Sequence, residues 1–230
     1  MNEAEFIAAL RTLPLDPAAR GLMDDAAVLG ELVLTHDMLA EGVHYLPDDP
    51  PQDVAWKLLA VNLSDLAAKG ATPLGVLLGY PLAGDDGWDA AFLKGLGAAL
   101  AAFECPLLGG DTVKLAKGAP RTLSLTAIGT SASAPARGGA RAGDRLYVTG
   151  AIGDGGAGLA VAHSGGGSPE LLARYRRPTP RLAEGRALAP LVHAMMDVSD
   201  GLLIDAGRMA AASGLVVTIE LSDVPLSPAY

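Results

Sequence analysis

The sequence predicts a mixed α/β protein of two domains. Two observations predict it. In the first half of the chain, short runs of branched apolar residues alternate with longer alanine- and leucine-rich runs, a pattern typical of strands alternating with helices. Farther along, the stretch Ser131–Asp144, SASAPARGGARAGD, is rich in small residues, glycine and proline, which is typical of a linker. We place the boundary within this stretch, after Arg137, so the predicted domains are residues 1–137 and 138–230.

The first half is predicted to start with a short amphipathic helix, Glu3–Arg11. The segment AAVLGELVLTHDML then indicates two strands with a turn near Gly30. A long helix, Asp53–Lys69, follows and is closed by Gly70, because glycine is favoured just past a helix C-terminus. The remaining predicted elements are a buried strand in PLGVLLGYPL, a helix over Trp88–Phe103, a strand with a glycine-rich turn in CPLLGGDTV, and a strand in TLSLTAIGT.

The second half continues the alternation with more turn-forming residues. RLYVTG predicts a strand and AGLAVAHS a helix. SGGGSPE predicts a flexible turn and RRPTPR a proline-stiffened loop. We expect Met195–Val198 to end a strand, Gly201–Ala212 to form a helix and LVVTIEL to form a last strand.

Composition excludes several classes of protein. The formal net charge is −9, from 26 acidic and 17 basic residues, which argues against nucleic acid or an anionic membrane as the main partner. The single cysteine, Cys105, excludes an internal disulfide and a multi-cysteine zinc site. No signal peptide and no apolar run of membrane-spanning length is evident, so we expect a soluble, cytoplasmic protein.

Several aspartates lie at predicted strand ends or helix starts, flanked by apolar residues or glycine. If they converge, they repel one another, by about 4 kcal/mol for two charges 4 Å apart at an effective dielectric constant near 20. A hard divalent cation relieves that repulsion, and oxygen ligands favour magnesium, manganese or calcium. The residues in this context are Asp24, Asp25, Asp37, Asp65, Asp111, Asp197 and Asp200.

Each aspartate also has a purely structural interpretation. Asp65 lies one helical turn before Lys69 and would pair with it. Asp24 and Asp25 would belong to a turn, and Ser199 or Asp200 would cap the helix that starts at Gly201. The residues alone leave these alternatives open.

The segment GDGGAG, residues 153–158, matches the dinucleotide-binding pattern literally. The match is weak in a chain with 29 glycines, and no acidic residue ends a second strand about twenty residues later. A nicotinamide-dependent dehydrogenase is therefore a minor alternative, which a cofactor titration without magnesium would test. No Walker A pattern occurs.

A set of motifs occurs in the order found in one enzyme family. They are DDAAVL, THDMLAEGVHY, AWKLLAVNLSDLAAKGATP, LLGGDTV, ARGGARAGDRLYVTG, RRPTPR and DVSDGLLIDAG. From about Gly21 onwards the chain resembles the thiamine-monophosphate kinases, which belong to the ATP-binding superfamily of aminoimidazole ribonucleotide synthetase. The resemblance implies the two-domain, PurM-like α/β plan, with an N-terminal sheet-and-helix domain that binds ATP and magnesium and forms a homodimer.

The resemblance also implies an activity and its residues. The activity is transfer of the ATP γ-phosphoryl group to thiamine monophosphate, giving thiamine diphosphate, with several magnesium ions and no general base. Asp65 and Asp111 would be the most critical residues, and His44 would contact the substrate. By motif position, the implied magnesium ligands are Asp25, Thr35, His36, Asp37, Asp65, Asp111, Asp197 and Asp200. The implied nucleotide contacts are Gly110, Asp111, Arg137 and Ser199.

The chain departs from the family pattern in three places. Met23 stands where the family commonly has glycine, and His36 where serine or threonine is usual. The family's GGEDYE-like segment and late aromatic residue, which help hold thiamine, do not occur, so we expect an incomplete C-terminal domain. The alternatives are another ATP-using enzyme of the superfamily, and a fragment that binds nucleotide and dimerises without turnover.

Overall fold

A five-stranded sheet and two long helices form the first half of the protein in the computed structural model, which describes residues 1–230. The mixed α/β class predicted from the sequence is confirmed. The elements are α1 (Glu3–Leu10), β1 (Ala27–Leu29), β2 (Leu32–Ala40), α2 (Pro51–Ala68), β3 (Thr72–Leu82), α3 (Asp86–Ala102), β4 (Leu107–Lys114) and β5 (Thr122–Thr130). A 3₁₀ segment, Pro17–Leu22, leads into β1.

The sheet has the strand order β1-β2-β5-β3-β4. All neighbouring strands are antiparallel except β3 and β4, which are parallel because α3 connects them as a crossover. The alternate residues of β5, such as Leu123 and Leu125, point at the helices and are fully buried with Leu59 and Phe92 in one apolar core. The opposite face of the sheet carries no helix and is partly exposed.

The helix α2 lies at the centre of the molecule, since most of its residues are buried on one side or another. Gly95 of α3 allows the close approach of the two long helices, because a Cβ atom there would lie 2.4 Å from the backbone of Gln52. Gly185 does the same on the other side of α2, where a Cβ atom would lie 2.1 Å from the carbonyl oxygen of Ala67. This central position explains why the segment from Trp56 onwards is apolar on nearly every face.

The second half of the chain is helical where its backbone is regular. Its elements are α4 (Asp154–Ser164), α5 (Pro169–Arg176), α6 (Leu182–Leu188) and α7 (Leu202–Ala212), followed by a short 3₁₀ turn at Leu221–Asp223. The predicted helices α4 and α7 are confirmed. The turn predicted in SGGGSPE and the loop predicted in RRPTPR are confirmed at residues 165–168 and 177–181. The helices α5 and α6, which follow them, were not predicted from the sequence.

The three strands predicted for the second half do not form in this structure. Residues 145–150, 195–198 and 215–221 pair with no neighbouring strand. An apolar, β-branched run becomes a strand only when another backbone satisfies its N–H and C=O groups, and none of these segments makes such a ladder here.

Contacts between the halves concentrate on α2 and the loop before it. The indole Nε1 of Trp56 donates to the carbonyl oxygen of Pro178 at 3.0 Å. Arg176 Nε lies 2.8 Å from Asp49 Oδ1, and the Asp49 side chain is almost fully buried. None of the helices is long and apolar enough to span a lipid bilayer.

Candidate functional site

Three of the predicted aspartates approach one another on the helix-covered face of the sheet. Successive residues of a strand point to opposite faces, so Thr35 and Asp37 of β2 both face α2. Asp65 on α2 lies opposite them, and the hydroxyl of Thr35 donates a hydrogen bond to its Oδ2. Asp197 approaches from the second half of the chain and raises the pKa of Asp65 through its charge.

The pKa values of all three aspartates in this cluster lie above their ordinary value. Burial raises the pKa of Asp65 to about 9, with the charges of Asp197 and Asp37 adding to the effect. Burial, followed by the charge of Asp25, likewise raises the pKa of Asp197 to about 7. Burial also raises the pKa of Asp37, although the charges of His36 and His44 oppose this shift. Buried carboxylates that repel one another are a site where a cation stabilises the ionised forms.

The paired acids before β1 are held by cations of the protein itself. Lys69 Nζ is fully buried and lies 2.6 Å from Asp24 Oδ1 and 2.8 Å from Asp25 Oδ2. The contact of Lys69 Nζ with Asp25 Oδ2 is an ion pair only: its angles do not fit a hydrogen bond, and this buried oxygen has no hydrogen-bond partner. Arg20 completes the pairing of Asp24 at 2.6 Å.

Lys69 and Arg137 both pair with the acids before β1. The sequence offered Asp65 as the partner of Lys69, and this was wrong, because the lysine side chain extends towards Asp24 and Asp25 instead. Arg137, a predicted nucleotide contact, lies 2.5 Å from Asp25 Oδ1 through its Nη2. Its Nε is buried without a partner, so the guanidinium keeps one donor for another acceptor.

His36 and Asp111 do not lie with Asp37, Asp65 and Asp197 on the helix-covered face of the sheet. His36 points to the open face of the sheet, where its Nδ1 lies 2.8 Å from Thr126 Oγ1. Asp111 on β4 is exposed and pairs with Gly79 of β3, which on its other side pairs with Ser124 of β5. The metal-binding roles predicted for His36 and Asp111 therefore stay predictions, and their side chains lie away from Asp65.

Gly110, the other predicted residue of β4, is required by the backbone. Its φ of 152° lies in the region that favours glycine, and a Cβ atom there would lie 1.9 Å from the carbonyl oxygen of Leu78. The glycine thereby permits the pairing of β3 and β4 that sets the position of Asp111.

A residue that the sequence analysis missed organises the turn before α7. Asp205 is buried, and its Oδ2 accepts hydrogen bonds from the backbone N–H groups of Ser199, Asp200 and Gly201 at 2.9 to 3.1 Å. Asp200 itself pairs with Arg208 at the surface. The sequence feature that could have identified Asp205 is its place in LLIDAG, one turn inside an apolar helix, which is a context like that of Asp65.

His44, the predicted substrate contact, has a defined orientation. Its Nδ1 accepts a hydrogen bond from the N–H of Ala40 at 3.0 Å, so the neutral imidazole carries its proton on Nε2. Lys57 Nζ donates to the carbonyl oxygen of His44 at 3.1 Å and lies over the ring of Tyr175. The exposed Nε2–H is therefore a donor for an external acceptor.

A cavity of about 1610 Å³ lies mostly among residues of the second half, with Ser64 and Ala67 of α2 at one side, and is lined by Asp197, Ser199 and Arg181. Its volume exceeds that of an ordinary small-molecule pocket. The segment GDGGAG lines another part of it, at the start of α4, but no paired strand precedes it. The structural context that a dinucleotide fingerprint requires is therefore not met.

The donor atoms fit magnesium better than a metal that needs a closed protein cage. No three acidic or histidine side chains are arranged so that they enclose one ion. Magnesium commonly takes one or two carboxylates and completes its shell with water and substrate phosphates. Asp37, Asp65 and Asp197 offer such carboxylates, and Asp25 Oδ2 is a buried oxygen without a hydrogen bond.

Comparison with known proteins identifies the family of the chain. Residues 23–131 match the family model "AIR synthase related protein, N-terminal domain", and residues 141–229 match the corresponding C-terminal domain. Thiamine-monophosphate kinase of Caulobacter vibrioides is 44% identical over 225 residues, which cover 93% of this chain and 63% of the relative. The Salmonella typhimurium enzyme of the same name is 39% identical over 240 residues, covering 98% and 72%.

A solved structure described as AaThiL complexed with AMPPCP and TMP superposes with a TM-score of 0.85 at 31% identity, covering 92% of this chain and 70% of that one. The chain thus spans 63% to 72% of the length of these relatives. Several proteins named thiamine-monophosphate kinase are similar to nearly all of this chain at this level of identity. The chain belongs to the thiamine-monophosphate kinase family, within the AIR synthase related proteins.

Proposed function

We propose that this protein phosphorylates thiamine monophosphate with ATP, giving thiamine diphosphate and ADP. The observation that carries the proposal is the approach of Asp37, Asp65 and Asp197 on one face of the sheet, in a chain of this family. In the reaction, a phosphate oxygen of thiamine monophosphate forms a bond to the γ-phosphorus of ATP. The bond from that phosphorus to the bridging oxygen breaks, and ADP leaves with the electron pair.

The acceptor oxygen is already anionic, so no side chain has to remove a proton from it. The obstacle is the repulsion between two polyanions, and positioning with charge neutralisation is the main contribution that a protein makes to such a transfer. Magnesium, when bound, supplies the positive charge between the phosphates. Pairs of carboxylates from Asp37, Asp65 and Asp197 would hold the ions, with Asp25 and the hydroxyl of Thr35 next to them and with phosphates and water completing each shell.

Other residues would bind the two substrates. We assign the polyphosphate to Arg137 and to the Ser199–Asp200 turn that Asp205 holds. The nucleotide contacts implied for Gly110 and Asp111 stay predictions, because Asp111 lies on the open face of the sheet, away from Asp65. We assign a phosphate oxygen of thiamine monophosphate to the Nε2–H of His44, because the bond from Ala40 fixes that tautomer. The division into domains 1–137 and 138–230 is part of this proposal, supported by family models that end at 131 and resume at 141.

A homodimer is the second part of the proposal. The open face of the sheet exposes Met38, Leu77 and Val113, and a second copy packed there would cover them. His36 and Asp111 lie on that side of the sheet, so the dimer would enclose them as well. Sedimentation of wild-type protein and of Leu77→Lys tests this: we expect a dimer that the lysine converts to monomer, and a monomeric wild type would contradict it.

The test of the activity is formation of thiamine diphosphate from ATP, magnesium and thiamine monophosphate. We expect product with the wild-type chain, and none when EDTA removes the metal. Binding of ATP and magnesium without product would favour the alternative of a nucleotide-binding fragment. Absence of both binding and product would contradict the proposal itself.

A further inference from the structure

The side chain of Lys69 is the most completely buried cation of the protein, with an exposed fraction of 0%. It stands at the C-terminal end of α2, one residue after the last helical position. A buried ammonium group is costly unless several oxygens surround it. Four oxygens do so here, and they come from three separate parts of the chain.

Two of these oxygens belong to the loop before β1. They are Asp24 Oδ1 at 2.6 Å and Asp25 Oδ2 at 2.8 Å. The third is the carbonyl oxygen of Pro135, at 3.1 Å, in the segment that joins the halves. The fourth is the carbonyl oxygen of Met195, at 3.0 Å, two residues before Asp197.

We propose that Lys69 is a positioning residue that ties the Asp24–Asp25 loop to the Met195–Asp197 segment. This inference rests on the proposed function, since it concerns the same carboxylates. The two segments are far apart in sequence, and the charge of Asp25 acts on Asp197. One ammonium group that contacts both fixes the distance between Asp25 and Asp197. The backbone bond from Met195 N to Ala136 O, at 3.2 Å, strengthens the same junction.

Arg20 provides a matched control for charge alone. It pairs with Asp24 at 2.6 Å and donates to the carbonyl oxygen of Ala134 at 2.7 Å, so it also joins the loop to the linker. It makes no contact with Met195. Removing Arg20 therefore takes one cation from Asp24 but leaves the tie to the Asp197 segment in place.

The experiment compares wild type, Lys69→Met and Arg20→Met in two measurements. The first is amide hydrogen exchange of residues 194–198 in the full chain without ligand. We expect exchange at least about tenfold faster in Lys69→Met and within about twofold of wild type in Arg20→Met. Equal exchange in wild type and Lys69→Met would overturn the proposal, as would an equal acceleration in both variants.

The second measurement is calorimetric binding of magnesium with AMPPCP, which requires no turnover. We expect affinity about 10- to 100-fold weaker in Lys69→Met, the usual effect of losing a group that orients metal ligands, and little change in Arg20→Met. Unchanged affinity in Lys69→Met would overturn the positioning role. If wild type itself binds no magnesium with AMPPCP, the proposed function fails, and the exchange measurement still decides whether Lys69 holds the segment.

If Lys69→Met does not fold, the double variant Lys69→Met/Asp24→Asn removes one charge of each sign and restores the balance. We expect the double variant to fold and still to exchange fast at residues 194–198. Slow, wild-type exchange in the double variant would mean that Lys69 only neutralises Asp24, and the proposal would be wrong.

Discussion

Thr35 and Asp65, 30 residues apart in sequence, are joined by a hydrogen bond from the threonine hydroxyl to the aspartate carboxylate. The bond crosses from the sheet to α2 at the point where Asp37 and Asp197 also approach. It is the one neutral donor that lowers the pKa of Asp65, against the burial and the negative charges that raise it. The relationship explains how a carboxylate is tolerated inside an apolar helix and why its charge matters.

Replacement of Asp65 with asparagine tests that role. We expect Asp65→Asn to abolish formation of thiamine diphosphate, because magnesium loses a ligand, while the thermal midpoint stays the same or rises as repulsion is relieved. Activity assays and thermal unfolding check the two parts. Asp48→Asn, at an exposed acid outside the cluster, is the control and should retain activity. An active Asp65→Asn enzyme would count against the metal role.

Gly110 offers a test of the β3–β4 geometry. An added Cβ atom would lie 1.9 Å from Leu78 O, so we expect Gly110→Ala to destabilise the protein by about 1–3 kcal/mol. The thermal midpoint should then fall by about 2–4 °C per kcal/mol. Gly97→Ala is the matched control, since Gly97 is exposed inside α3 with open space around it. It should gain about 0.5–1 kcal/mol, and a stable Gly110→Ala would contradict this account of β4.

Asp205 is predicted to be required for the turn before α7. We expect Asp205→Asn to lose about 1–3 kcal/mol of stability, since one carboxylate oxygen accepts three backbone N–H groups. Binding of magnesium with AMPPCP should weaken as Ser199 and Asp200 shift. Arg208→Gln removes another partner of Asp205 but leaves those three bonds, so its affinity should stay near wild type. Equal binding by Asp205→Asn and wild type would refute the role.

Lys57 gives the protein a predictable dependence of stability on pH. Burial lowers the pKa of Lys57 from 10.5 to about 8, although the charge of Asp49 opposes the shift. Between these values the unfolded chain binds a proton that the folded protein has released, so the folded state gains stability as pH rises. Relative to Lys57→Met, wild type should gain about 1–2 kcal/mol between pH 8 and about pH 9.5.

Urea unfolding of both proteins at pH 7, 8, 9 and about 9.5 measures this difference. Tyr175, which lies under the ammonium group, is present in both proteins, and its pKa is raised by burial, so its effect largely cancels. A difference in unfolding free energy that is constant over the range would show that Lys57 keeps its proton. A decreasing difference would reverse the sign and contradict the assignment.

Much of the first half could be predicted from local pattern. The alternation in β2 is a property of the strand itself, and it predicted the strand. The length and composition of α2 likewise predicted a buried helix ending at Gly70. Local periodicity is strong in β2 because the strand buries one defined face, whereas α2 was recognised by its length and by apolar residues on nearly every face.

The second half was less predictable because its elements depend on distant partners. RLYVTG and LVVTIEL have strand composition, yet a strand needs a neighbouring backbone that the sequence of the segment does not specify. Asp205 was missed for a related reason: its role depends on three N–H groups that fold back onto it.

The sequence by itself determined the family and the mixed α/β class, because motif order and hydrophobic periodicity are written along the chain. Only the tertiary structure decided which aspartates meet and which are already paired with a cation. Asp65 faces Asp37 and Asp197, whereas Asp25 faces Lys69 and Arg137. The physical reason is that electrostatic energy depends on distance and burial in space, and neither can be read from separation along the chain.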